Sequence, residues 1–129
     1  MTVVDASCLV EVLLRTESGE SIEARWRRGP SLHAPEIVDL EMLQVLRRLV
    51  TSREVSDDRA ALAVGMLDRL AVRRWSHGPL RRRIWDLRRN LTAYDAAYVA
   101  LAERLECPLV TRDARLARSA GHRARIERV

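Results

Sequence analysis

The segment LTAYDAAYVALAERLECPLVT, residues 91–111, constrains the fold more than any other stretch. It reads as a helix that is apolar on almost every side until Glu103, so protein must surround it. A short apolar strand, CPLVT, follows at once. The rest of the chain repeats this alternation. TVVDAS is a short strand running into the helix SCLVEVLL, and a second helix covers roughly Glu20 to Arg28. SLHAP is extended and leads into the helix PEIVDLEMLQVLRRLV. SDDRAALAVGMLDRLA is helical with Ser56 as N-cap. VRRW reads as a strand, GPLRRRIWDLRR as a short helix, RDARLARS as a helical turn and ARIERV as a final strand. Strands alternating with helices predict an α/β layered fold with a mainly parallel central sheet flanked by helices. Residues 1–129 form one domain by length, with no repeat or linker.

Within PEIVDLEMLQVLRRLV, residues Val38, Met42, Val45 and Leu49 recur at helical spacing, and Pro35 suits the first helical position. Glu41 stands at the margin of that apolar face, where a half-sunk carboxylate costs free energy unless something compensates it. An arginine such as Arg48 is one candidate partner.

Composition excludes several classes. No tract approaches the roughly 20 apolar residues of a membrane span. The opening MTVVDASCLVEVLL has no basic region, and Asp5 and Glu11 interrupt its apolar run, so no signal peptide is expected. Cys8 and Cys107 are far apart among apolar neighbours and read as buried thiols of a reducing, cytoplasmic setting. His33, His77 and His122 lack zinc-ligand spacing. The formal charge is +5, and all 23 basic residues are arginine. Arginine adjoins tryptophan in RWRR (25–28), RRW (73–75) and RRRIW (81–85), a composition suited to single-stranded nucleic acid. For any one cluster, a solvated face with its tryptophan turned inward explains the pattern as well.

Ligands of parallel α/β folds bind at the carboxyl ends of the strands. Asp5 closes TVVD, Asp113 follows LVT after one residue, and Asp95 lies in the first turn of the buried helix. Asp5 and Asp113 also suit helix N-caps, and Asp95 suits the capping box TAYD behind Thr92.

Taken together, VVDAS, the acid of PEIVDLEMLQVLRR, and LTAYDAAYVALAERLECPLVTRDARLAR resemble the PIN-domain ribonucleases, specifically the VapC toxins of bacterial toxin–antitoxin pairs. The resemblance covers essentially the whole chain, and YDAAYVALAE followed by TRDARL is its specific part. It implies a PIN-like three-layer fold and assigns Asp5, Glu41, Asp95 and Asp113 to a metal-binding acidic cluster, with Ser7 and Thr111 supporting it. Asp39 rivals Glu41, but points about 160° away on an ideal helix. The hard oxygen donors of that cluster suit Mg²⁺ or Mn²⁺. The implied chemistry is attack of an activated water on an RNA phosphodiester. Arg81, Arg82 and Arg83 are candidate RNA contacts. The resemblance further implies a homodimer and a cognate antitoxin, for which SCLVEVLL and LEMLQVLRRLV offer apolar faces. A non-catalytic RNA-binding or adaptor domain on the same fold is the alternative. A phosphohydrolase would carry Asp-x-Asp where this chain has DAS, a receiver-like domain would carry a late lysine, and a phosphate loop would be glycine-rich.

Overall fold

In the computed structural model of the chain, which describes residues 1–27 and 29–129, five strands form one sheet in the order β3-β2-β1-β4-β5, every pairing parallel. The strands are β1 (Thr2–Val4), β2 (Leu32–Pro35), β3 (Val72–Trp75), β4 (Leu109–Thr111) and β5 (Ile126–Arg128). Helices fill the connections: α1 (Ala6–Leu13), α2 (Glu17–Trp26), α3 (Ile37–Thr51), α4 (Asp57–Met66), α5 (Arg81–Asp86), α6 (Ala93–Leu105) and α7 (Ala114–Ala117). Successive side chains of a strand point to opposite faces, and Val3 and Val4 are both fully buried, so both faces of the central strand are covered. On one side α6 lies across β1, β2 and β4 with α5 against it. Elsewhere α1 packs on α2, α3 and α4. The chain builds β1, β2 and β3 outward, then returns to place β4 on the other side of β1. The strand order therefore reverses between β1 and β4, the place where such folds open a crevice.

The all-round apolar helix is as its composition predicts: Ala96 through Ala102 are buried without exception. Caps mark several starts. Thr92 accepts from the Asp95 N–H at 3.2 Å, the threonine half of the expected box, and Ser56 accepts from Arg59 N–H at 3.3 Å.

Several expectations need correction. Pro35 closes β2 rather than opening a helix: it pairs with Trp75, and α3 begins at Ile37. Helix α2 begins at Glu17, not Glu20, because Thr16 caps it by accepting from the Gly19 N–H at 3.0 Å. It ends at Trp26, and Arg28, to which it was expected to run, lies outside the described residues. Helix α1 offers no partner surface along its apolar face, since Cys8, Leu9, Val10 and Leu13 all face the core. On α3, Leu40 and Leu43 do remain exposed. Cys8 is fully buried as expected, but Cys107 is only half-buried. Among the described residues no helix is long and apolar enough to cross a membrane.

Helices α1 and α2 cross so closely that a Cβ on Gly19 would stand 2.1 Å from the Glu11 carbonyl oxygen. Backbone cannot yield as a flexible side chain can. Gly19→Ala is therefore expected to destabilise the fold by about 1–3 kcal/mol, the usual range for forced overpacking, measured by urea unfolding.

Candidate active site at the ends of β1 and β4

Asp5 follows β1 and caps α1, and the residue is buried, with 6% relative exposure. Three donors hold it. Ser7 Oγ donates to Oδ1 at 2.6 Å, the Cys8 N–H donates to the same oxygen at 3.2 Å, and the Thr111 hydroxyl donates to Oδ2. Thr111 ends β4, so this last bond joins the two central strands across the switch point. Both hydroxyls are themselves acceptors: Ser7 Oγ takes the Arg112 N–H at 3.0 Å, and Thr111 Oγ1 takes the Asp113 N–H at 2.9 Å. One buried carboxylate thus fixes the backbone at the start of the following loop.

Glu41 lies on α3, half-buried, and the hydroxyl of Tyr98 donates to its Oε2. No bond to Arg48 is present; tyrosine from α6 supplies the compensation instead. Asp95 stands three residues before Tyr98 on the same helix, hence on the same side. Its Oδ2 lies 3.8 Å from Arg115 Nη2, a loose pair with a mostly exposed arginine. Asp113 caps α7, its Oδ1 accepting from the N–H groups of Arg115 at 2.7 Å and Leu116 at 3.3 Å.

Asp5, Ser7, Glu41, Asp95, Tyr98 and Asp113 line one cleft of about 280 Å³. All four acids and Ser7 therefore meet, with Thr111 fully buried behind Asp5. Asp39 does not join them: Arg74 grips it with Nη2 at 2.8 Å and Nε at 3.1 Å. Capping and cleft-lining prove compatible. Asp5 and Asp113 do both, because a cap at the end of a parallel strand already faces the crevice.

Burial raises the Asp5 carboxyl above its ordinary range despite its donors. Glu41 and Asp95 are raised first by burial as well, then by neighbouring carboxylates: Asp95 and Asp5 act on Glu41, and Asp113 and Asp5 act on Asp95. Like charges gathered out of water each disfavour the other's ionisation.

Among the described residues no three acidic, histidine or cysteine side chains stand close enough, as they lie, to enclose an ion. The donor set nevertheless fits a hard divalent cation. It is all oxygen, it gathers like charge, and Glu41 Oε1 and Asp113 Oδ2 accept no hydrogen bond among the described residues.

The tryptophan clusters divide. Trp26 packs against the core, and Trp75 donates from Nε1 to His33 Nδ1 at 3.0 Å with Arg73 over its ring. Trp85 is 65% exposed, with the Arg88 guanidinium 4.4 Å from its ring centre. Of the candidate RNA arginines, Arg81 and Arg82 are exposed, but Arg83 is committed: its Nε and Nη2 grip Glu103 at 2.7 and 2.9 Å. Sequence reasoning missed Tyr98 and Arg115. The signal for Tyr98 was a hydroxyl inside the unbroken buried tract of an alanine-rich helix, one turn from Asp95. It also gave Arg112 no role, whereas Arg112 Nη1 pairs with Glu11 at 2.8 Å and ties the loop after β4 to α1.

Comparison with known proteins places the chain in a family. A family profile described as "PIN domain" matches residues 2–121. The chain is 44% identical over 129 residues to "Ribonuclease VapC12" of Mycobacterium tuberculosis, covering all of this chain and 99% of that one. Among solved structures, "Mycobacterium tuberculosis VapC20 (Rv2549c), Sarcin-Ricin loop cleaving toxin" superposes with a TM-score of 0.65 at 16% identity, covering 91% of this chain and 93% of that one. A "Toxin-antitoxin complex from Klebsiella pneumoniae" contains a chain with a TM-score of 0.60 at 19% identity, covering 92% and 91% respectively.

The raised acids give a signed pH dependence. A carboxyl whose pKa is higher folded than unfolded binds more protons folded, so its contribution is present at low pH and is lost as pH rises through the folded pKa. Asp95→Asn in EDTA is expected to match or exceed the parent by on the order of 1 kcal/mol near pH 7.5, the scale of one pKa unit. That margin should shrink at a pH low enough to protonate the parent's raised carboxyl. The exposed Arg115 pair offsets little. Thermal melts at the two pH values read this directly, and a variant less stable at the higher pH would return Asp95 to a purely structural role.

Proposed function

Because the chain belongs to the PIN-domain family, and within it to the VapC ribonucleases, we propose that it is a metal-dependent endoribonuclease acting as the toxin of a toxin–antitoxin pair on cytoplasmic RNA. The observation that carries this reading is the convergence of Asp5, Glu41, Asp95 and Asp113 on one cleft at the sheet's switch point. A bound Mg²⁺ or Mn²⁺ supplies a Lewis acid for the phosphate and an acidified water as nucleophile. Asp5 is the rigid member of the set, its orientation pinned by Ser7, Cys8 and Thr111. Tyr98 occupies Glu41 Oε2 and leaves Oε1 toward the cleft; the cap on α7 occupies Asp113 Oδ1 and leaves Oδ2. Asp95, held by the Thr92 hydroxyl and a loose pair to Arg115, is suited to receive a proton from water. Arg82 is exposed and Arg81 gives only its Nε to the Gly78 carbonyl at 3.4 Å, so both suit contact with the RNA backbone. The kinship also supports an antitoxin partner and a homodimer, with exposed Leu40 and Leu43 of α3 as apolar surface for such contacts.

Purified protein is expected to cleave RNA with Mg²⁺ or Mn²⁺ and to stop in EDTA. Asp5→Asn, Glu41→Gln, Asp95→Asn and Asp113→Asn should each lower turnover roughly a hundredfold or more, with Asp39→Asn changing it only a few-fold. Persistent cleavage in EDTA, with contaminants excluded, would sink the metal mechanism. Mg²⁺ should also raise the melting temperature of the parent and barely move that of Asp95→Asn.

A second expectation concerns approach. Replacing both Arg81 and Arg82 by Gln should weaken RNA binding and flatten the log–log salt slope by roughly 1.4, at about 0.7 for each phosphate contact on a single strand. An unchanged slope would leave both arginines as solvated surface.

A further inference from the structure

One turn of α3 before Glu41 lies a second hollow, which shares no lining residue with the acidic cleft but is walled by the same two helices. It holds about 200 Å³ and is lined by Ile37, His77, Ile84, Ala93, Tyr94 and Ala97. Ile37 precedes Glu41 by four residues, about 6 Å along the helix axis. Tyr94 and Ala97 are the chain neighbours of Asp95 and Tyr98 on α6. The same two helices therefore line both cavities.

Its chemistry is unlike the cleft's. The walls are aliphatic and aromatic, with two polar features, the His77 ring and the Tyr94 hydroxyl. The Ile37 N–H donates to His77 Nε2 at 3.3 Å, which serves the first turn of α3 and leaves the ring proton on Nδ1, a donor with no partner among the described residues. Tyr94 is 61% exposed, an aromatic face left in water beside a charged cleft. Helix α5 sends Ile84 into the hollow and leaves Trp85 outside under Arg88. Exposed Arg81 and Arg82 open that helix and exposed Arg89 follows it. The volume is below the roughly 300–1,000 Å³ of sites for drug-sized ligands, so it admits one ring system rather than a whole nucleotide. A partner's helix would want a row of anchor points along a groove, and this is a single depression.

We infer that this hollow receives one unpaired base of the RNA whose phosphate lies in the acidic cleft, stacking it beside Tyr94 and thereby positioning the strand for cleavage. The inference rests on the ribonuclease reading above. Apolar walls and an aromatic face suit the flat of a base, and the surrounding arginines suit its backbone. A duplex cannot enter so small a depression, so the inferred substrate is a single-stranded loop or end.

The test uses the full chain in EDTA, where no cleavage is expected, with a labelled single-stranded RNA of mixed sequence and a sugar–phosphate strand of equal length that carries no bases. Tyr94→Ala removes the stacking face, and Ala93→Leu fills the hollow; both positions are exposed, and melts confirm folding. Each variant should bind the RNA roughly 5- to 150-fold more weakly, the value of one stacked base. Neither should lose affinity for the base-free strand, and the salt slope should stay as in the parent because no phosphate contact is removed. Variants that bind RNA like a parent that cleaves it overturn the inference and leave the hollow to a protein side chain or a second copy. Equal losses on both strands overturn it too. A parent that neither binds nor cleaves RNA removes the ribonuclease reading and this inference with it.

Discussion

The carboxylate of Asp5 is the point on which the rest of the site depends. It is buried where the order of strands reverses, and two hydroxyls and one backbone amide donate to it. The hydroxyls of Ser7 and Thr111 each pass on a second bond, to the N–H of Arg112 and of Asp113. Two backbone amides of the loop after β4 are thus tied through side chains to the end of β1. Chains of hydrogen bonds of this kind strengthen one another in a low-dielectric interior. Burying a carboxylate is costly, and the raised Asp5 pKa records that the donors do not fully offset the cost. The strain sits at the crevice, where an ion or substrate can relieve it.

Much of the fold was legible because its signals are local. Strand-to-helix alternation, the caps Thr92 and Ser56, and the unbroken apolar tract 96–102 are read from neighbours in sequence. Asp5, Asp95 and Asp113 were legible for the same reason: each stands at a strand end or a helix start, and the topology turns all such places to one side. Glu41 was legible as a misfit on an apolar face. Its partner was not, because Tyr98 is 57 residues away and pairing across two helices leaves no periodic trace. Distance equally hid the Arg83–Glu103 and Arg74–Asp39 pairs, which remove two arginines from apparently free clusters. Helix α1 was misjudged as partner surface since apolar spacing reports that a face is buried without reporting against what. Pro35 was misplaced because the angle proline imposes suits the end of a strand as well as the start of a helix.

Charge is distributed against the chain's own average. A protein of net charge +5 collects four carboxylates in its crevice while exposed arginines lie around α5. Two like charges 4 Å apart repel by about 4 kcal/mol at an effective dielectric of 20. A phosphate entering an ionised and uncompensated cleft would meet repulsion of that order from each nearby acid. On the proposed reading exposed arginines draw the polyanion near, while among the described residues Arg112 is taken by Glu11, and Arg115 reaches only Asp95, loosely. On the proposed reading a divalent cation therefore has an electrostatic task that precedes its chemical one. On the same reading affinity would come from the basic surround and the neighbouring apolar hollow, and reactivity from the cation-dependent cleft. On that reading binding and cleavage are separable by position, one turn apart on α3 and on adjoining residues of α6.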